Sequence, residues 1–287
     1  MRFSLLFLFL VHSLCAYEHG EVMMFLTLEE KRGWQIVRCE RERCRIISTS
    51  LEVQTFDCMS ESKTCVYVAS DGSLRIVDSK TEKTLLEKGK DGYTQPRFSK
   101  DGTRIWLVRL RNGNSKKTEI GWIDPRRPSR FHTVLQRHST DLDPWLGHEG
   151  GFYYAHVSCA EGCGRIIQEI WFHGPAGHSR QLTLENRLAH QPSFDPVHQT
   201  LYYSVYTLEG YRIRKLHLAD SSCRGHTIDE RPDVSDAWPA PDGKGGLYFV
   251  RTGRTRDSIV HCDDTGSCHP LMLRPDFSTI RNLKVNP

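Results

Sequence analysis

Apolar and polar positions along this chain fall into short runs that recur. Four stretches line up: Gln95–Arg109 (QPRFSKDGTRIWLVR), Asp143–Val157 (DPWLGHEGGFYYAHV), Gln191–Val205 (QPSFDPVHQTLYYSV) and Ala237–Arg251 (AWPAPDGKGGLYFVR). Each has a proline, a turn rich in Gly, Asp or His, and then an aromatic and β-branched run. Pro96, Pro144, Pro192 and Pro239 are spaced 48, 48 and 47 residues apart. Turns such as Lys100-Asp101-Gly102 suit positions that need a positive φ or a side-chain-to-backbone hydrogen bond. Runs such as Ile105-Trp106-Leu107-Val108 suit a strand packed on both faces.

One unit spells out four strands. After the second run come a polar loop (Arg111 to Thr118), a third strand (Glu119 to Asp124) and a fourth (Phe131 to Leu135). Four short strands per repeat, at a period near 48, define a β-propeller blade. Weaker copies place second strands at Cys65 to Val68 and Val22 to Leu26. The second strands then start at 22, 65, 105, 152, 201 and 247, which counts six blades. The N-terminal copy has no first strand of its own, and Ile280 to Pro287 reads as a first strand with nothing after it. The expected fold is therefore all-β: a six-bladed propeller of four-stranded antiparallel blades, its ring closed by the C-terminal strand joining the N-terminal blade. Such closure would also cover an exposed sheet edge.

Residues 1–16 (MRFSLLFLFLVHSLCA) have the layout of a secretory signal peptide: one basic residue, a short apolar run, then small and polar residues. The run is too short to span a bilayer, which takes about 20 apolar residues. Cleavage after Ala16 is expected, leaving a propeller domain of residues 17–287; acylation of Cys15 is the alternative. No later segment is apolar enough to span a membrane. Without Arg2, 38 basic residues face 35 acidic ones. That balance is too small to argue for nucleic acid or an anionic membrane, and no block of five like charges occurs.

Most cysteines come in tight pairs: Cys39/Cys44, Cys58/Cys65, Cys159/Cys163 and Cys262/Cys268. None has the C-x-x-C spacing of a zinc ribbon. After a signal peptide, such pairs are expected to be disulfides that lock hairpins, with Cys223 left over. The pairs fall at turns between the strands assigned above, where short bridges are geometrically reasonable.

The pattern QPxFSxDG followed by an aromatic strand is clearest at Gln95–Gly102 and Ala237–Gly243, and looser at Gln191–His198. It resembles the repeat of TolB-like, WD-repeat-like propellers, and it covers nearly the whole mature chain. TolB itself carries an additional N-terminal α/β domain, for which this chain leaves no room. The resemblance implies a periplasmic scaffold that binds protein partners across one face or through the central channel.

Catalytic signatures are missing from the sequence. There is no G-x-S-x-G elbow and no H-E-x-x-H helix. Ser99 to Trp106 superficially resembles a sialidase Asp-box, but Gly102 directly follows Asp101. First strands line a propeller channel, and the loops leading into them form one face. The candidate binding residues there are Gln95, Asp141, Asp143, His190, Gln191 and Asp236, with the aromatics Tyr93, Trp145 and Trp238. Carboxylates with a carbonyl could hold Ca²⁺; the plainer reading is turn capping, with no metal and no cofactor. The aromatics either pack between blades or grip a partner's chain, since Tyr, Trp and Arg dominate binding hot spots. His132, His138, His148, His156, His173 and His178 are dispersed with no ligand spacing, and most are expected at the surface. The expected function is periplasmic protein binding with no nucleic acid. The alternative is a carbohydrate-active hydrolase or lyase using channel carboxylates or a bound metal.

Overall fold

The structure is a computed structural model describing residues 21–40, 43–47, 49–59, 62–147, 150–160, 164–220 and 223–286. The expected leader, residues 1–16, lies outside the described residues. Among the described residues the chain is all-β, with a single 3-10 turn at Arg111–Gly113.

Strands β1 (Val22–Glu29), β2 (Gly33–Glu40) and β3 (Arg43–Ile47) form an antiparallel meander. A second sheet comprises β4 (Val53–Cys58), β5 (Cys65–Ala69), β6 (Leu74–Val77) and β7 (Glu82–Leu86). A third comprises β8 (Gly92–Phe98), β9 (Ile105–Leu110), β10 (Thr118–Asp124) and β11 (Arg127–Gln136). Next come β12 (Asp141–Leu146), β13 (Phe152–Ala160), β14 (Arg165–His173) and β15 (Ser179–Gln181). They share one eight-stranded sheet with β16 (Leu188–Asp195), β17 (Thr200–Thr207), β18 (Gly210–His217) and β19 (His226–Thr227). The last four-stranded run is β20 (Ser235–Pro241), β21 (Leu247–Thr252), β22 (Asp257–Cys262) and β23 (Cys268–Pro270). Finally β24 (Ile280–Asn286) lies antiparallel on β1, with Met23 opposite Val285 and Thr27 opposite Ile280.

The eight-stranded sheet departs from the four-strand expectation for a local reason. β15 covers only Trp171 to His173 of β14, which leaves the earlier part of that edge open. Gln168 occupies it with a single parallel bridge to Leu188. On either side of the bridge the pairing is an ordinary antiparallel meander.

Second strands are buried on both faces, as their apolar runs predict: all five residues of β5 are buried, as are the first six of β17. Alternate residues serve different cores. Met23 and Phe25 of β1 pack with Tyr248 and Val250, whereas Met24 and Leu26 pack with Phe56 and Tyr67. Every apolar cluster among the described residues mixes two neighbouring units, and one joins β1, β2 and β24 to β20–β22. The first strands β4, β8, β12, β16, β20 and β24 touch in that order, and β24 touches β4.

Three cysteine pairs are disulfides: Cys39–Cys44 between β2 and β3, Cys58–Cys65 between β4 and β5, and Cys262–Cys268 between β22 and β23. Each joins residues directly opposite in register, with Cα atoms 4.0 Å apart. The expected Cys159/Cys163 pair falls on Cys163, outside the described residues.

Candidate functional site

The repeat proline marks a break in each ladder. Register shifts fall between Thr94 and Arg97, Leu142 and Trp145, His190 and Ser193, and Ala237 and Ala240. The residue before each proline, whether Gln95, Asp143, Gln191 or Trp238, has a φ of 53° or 54°. Bulges of this kind re-aim a side chain. A non-glycine residue in left-handed backbone costs about 1–3 kcal/mol and persists only where its surroundings hold it.

A relay of hydrogen bonds does the holding. The Gln95 amide donates to Thr55 Oγ1 at 3.1 Å, and the Asp143 amide to Gln95 Oε1 at 2.8 Å. The Gln191 amide donates to Asp143 Oδ2 at 3.1 Å, and the Trp238 amide to Gln191 Oε1 at 2.9 Å. Gln95 Nε2 also donates to Asp143 Oδ1. Each bulged residue is thus fastened to the side chain at or beside the bulge of the preceding unit.

These first strands surround a cavity of about 380 Å³. Six of the nine candidates line it: Gln95, Asp143, Trp145, His190, Gln191 and Trp238. His190 Nδ1 lies 3.9 Å from Asp143, and its ring meets Tyr211 edge-on at 4.7 Å. Burial holds the His190 pKa below its ordinary value, and its Nε2 is buried without a hydrogen-bond partner.

Tyr93, Asp141 and Asp236 do not line the cavity, which corrects the expectation for these three. They sit opposite Arg109, His156 and Arg251 in the cross-strand register, and Asp141 and Asp236 bond that partner. Tyr93 packs against the apolar cluster of β5, β6 and β9. Asp141 is fully buried and 2.7 Å from His156 Nδ1. Asp236 accepts two 2.8 Å bonds from Arg251. Ser139 also approaches His156, but at the same Nδ1, 3.4 Å away, so no Ser-His-Asp relay forms. His156 and His173 are largely buried, contrary to the surface expectation, because each bonds a partner inside its sheet. Among the described residues, no group of three His, Cys, Asp or Glu side chains could hold a metal ion.

The sequence reading missed the cations of the cavity. Arg97, Arg281 and Lys284 line it. Arg97 lies 3.6 Å from Asp57 and 4.8 Å from the Trp145 ring centre; Lys284 lies 3.9 Å and 5.7 Å from the same groups. Both are within cation–π range. Burial pushes the Asp57 carboxyl up to about 6, against the pull of Arg97. Arg281 stacks on Trp34 at 3.7 Å and, with Trp238, borders a second, more open cavity of about 460 Å³. One signal was available. Arg97 and Trp145 directly follow repeat prolines, and Lys284 holds the matching place in β24, so one aligned position carries all three.

Solved structures similar to this chain include TolB proteins and a β-propeller domain. TolB from Acinetobacter baumannii superposes with a TM-score of 0.72 at 13% identity, over 93% of this chain and 66% of that one. A putative TolB from Agrobacterium tumefaciens gives 0.64 at 13% identity, over 89% of each chain. The β-propeller domain of the trilobed protease from Pyrococcus furiosus gives 0.55 at 14% identity, over 88% of this chain and 80% of that one. The fold is that of a β-propeller, and within that class it is TolB-like. No protein-family model and no curated protein sequence matches the chain.

Proposed function

We propose that this chain is an exported six-bladed propeller, residues 17–287 behind a leader of residues 1–16. Its role is to hold a protein partner in the periplasm or cell envelope through the cavity between its first strands. The observation that carries this reading is the cavity wall: two cations set against the Trp145 indole, with Trp238 beside the relay. Trp and Arg are the side chains that anchor protein interfaces, and the Trp145 cluster sits in a concave site. Six blades in a ring are supported by the cyclic order of first-strand contacts and by apolar clusters that each join two neighbouring units. Export is supported by three disulfides, which persist in oxidising compartments. No helix among the described residues is long and apolar enough to cross a membrane.

Of the carboxylates named for a carbohydrate-active hydrolase or lyase, Asp143 lines the cavity, whereas Asp141 and Asp236 are engaged with His156 and Arg251. A pull-down from periplasmic extract tests the scaffold reading. Wild-type protein should retain one stable partner, and Trp145→Ala and Lys284→Gln should each lose it, with melting curves checking that both variants are folded. Retention by both variants, or no partner at all, overturns the reading.

A further inference from the structure

Strand pairing gathers charge that the sequence spreads out. Between Gly92 and Gln136, the span of β8 to β11, there are ten Lys or Arg and three Asp or Glu. That is a formal +7 in a chain whose total is +4. The whole-chain balance therefore hides one strongly basic sheet and a remainder that is net negative.

Five of the ten cations share one end of this sheet. Lys100 and Arg104 belong to the β8–β9 turn, Arg126 to the β10–β11 turn, and Arg127 and Arg130 to the start of β11. Ile123 pairs with Ile105, and Asp124 with Arg127, so the three elements end together. All five side chains are exposed. The ion pairs of the sheet fall elsewhere, at Arg97, Arg109 and Arg111. The two acids at this end are used internally. Asp101 accepts from Ser99 and Thr103, and Asp124 accepts from the Arg126 amide.

We propose that this corner docks the protein on an anionic lipid surface. None of the five lines either of the two cavities described above. Its nearest aromatic is unavailable as an anchor. Arg104 lies 4.3 Å from the Trp122 ring centre and His132 stacks on that ring at 3.9 Å, so both indole faces are covered. An acidic polypeptide would be held by anchors in pockets. A charged bilayer instead attracts each exposed cation separately and needs no complementary shape. This surface is independent of the cavity reading, and its test leaves the cavity untouched.

Vesicle co-sedimentation decides the matter. The protein should partition onto phosphatidylcholine vesicles containing phosphatidylglycerol, not onto pure phosphatidylcholine, and high salt should release it. The variant Lys100→Glu/Arg126→Glu/Arg127→Glu/Arg130→Glu should lose about fivefold in partition for each cation removed. Lys116→Glu/Lys117→Glu, at the opposite end of the sheet, is the control and should bind nearly as wild type. Melting curves check that both variants fold. Equal binding to neutral vesicles, no binding to either, or equal loss in the two variants overturns the proposal. So does retention on immobilised polyglutamate without retention on the charged vesicles.

Discussion

Lys284, in the last strand, lies 3.9 Å from the carboxylate of Asp57, in the fourth strand of the chain. Arg97 reaches the same carboxylate at 3.6 Å, so one half-buried acid ties together three separate strands.

That acid gives the protein a pH signature. Burial raises the Asp57 carboxyl from its ordinary 3.8 to about 6. The folded protein therefore holds this proton more tightly than the unfolded chain does. Its contribution is fully present below the ordinary value and is lost as pH rises through about 6. Wild-type stability measured against Asp57→Asn should fall across that window and level off above it. Urea unfolding at a series of pH values reads the difference; a rise across the same window contradicts the assignment.

Arg251 is tied to two carboxylates. It is buried, donates twice to Asp236 at 2.8 Å, and donates to Asp229 at 2.8 Å. Against the upward push of burial, hydrogen bonds from Arg231 and Arg251 hold Asp229 far below the usual carboxylate range. Arg251→Met should destabilise by about 3–5 kcal/mol, because it strands a buried carboxylate. Arg251→Met/Asp236→Leu should recover much of that loss. Chemical denaturation of the two variants distinguishes a stranded charge from lost packing.

The disulfides close short loops, with sequence separations of 5, 7 and 6. Chain-entropy reasoning gives each about 2 kcal/mol. Reduction should lower the melting temperature while leaving the far-ultraviolet circular dichroism of the folded state unchanged. Collapse of the spectrum on reduction would mean that the hairpins cannot form without their bridges.

Removing residues 280–287 should be far more damaging than removing any disulfide. The deletion bares the edge of β1 and takes Ile280, Leu283 and Val285 out of a buried cluster. Exposed edges invite pairing with other chains. Size-exclusion chromatography should show soluble aggregate and a broad unfolding transition; a monomer with a sharp transition would contradict the role given to β24.

Much of the fold was legible because its strands are short and strongly patterned. Second strands such as β5 and β17 announce themselves as unbroken β-branched and aromatic runs, since both of their faces are buried. The tail was legible as an orphan strand, and it pairs with β1. The site was legible in part. Gln95, Asp143, Gln191 and Trp238 could be named from their place before the prolines, but not their left-handed backbone, which the relay imposes from outside each segment. Asp141 and Asp236 look equally available in the sequence. Only the register, which sets them opposite His156 and Arg251, removes them. Trp34, Arg281 and Lys284 come from the two ends of the chain, and only folding brings them to the cavities.

The amide-to-side-chain relay runs from Thr55 to Trp238 and stops there, because an indole has no acceptor to offer the next strand. Beyond its ladder with β1, β24 is held by a bond from the Ile280 amide to Asp257, by Arg281 on the Val53 and Gln54 carbonyls, by the Lys284–Asp57 pair and by packing against β20, but by no link of the relay. A load applied to both ends of the chain falls first on these contacts of β24, which the relay does not reinforce. Under tension the molecule should unzip from its tail while the arc fastened by the relay keeps its shape.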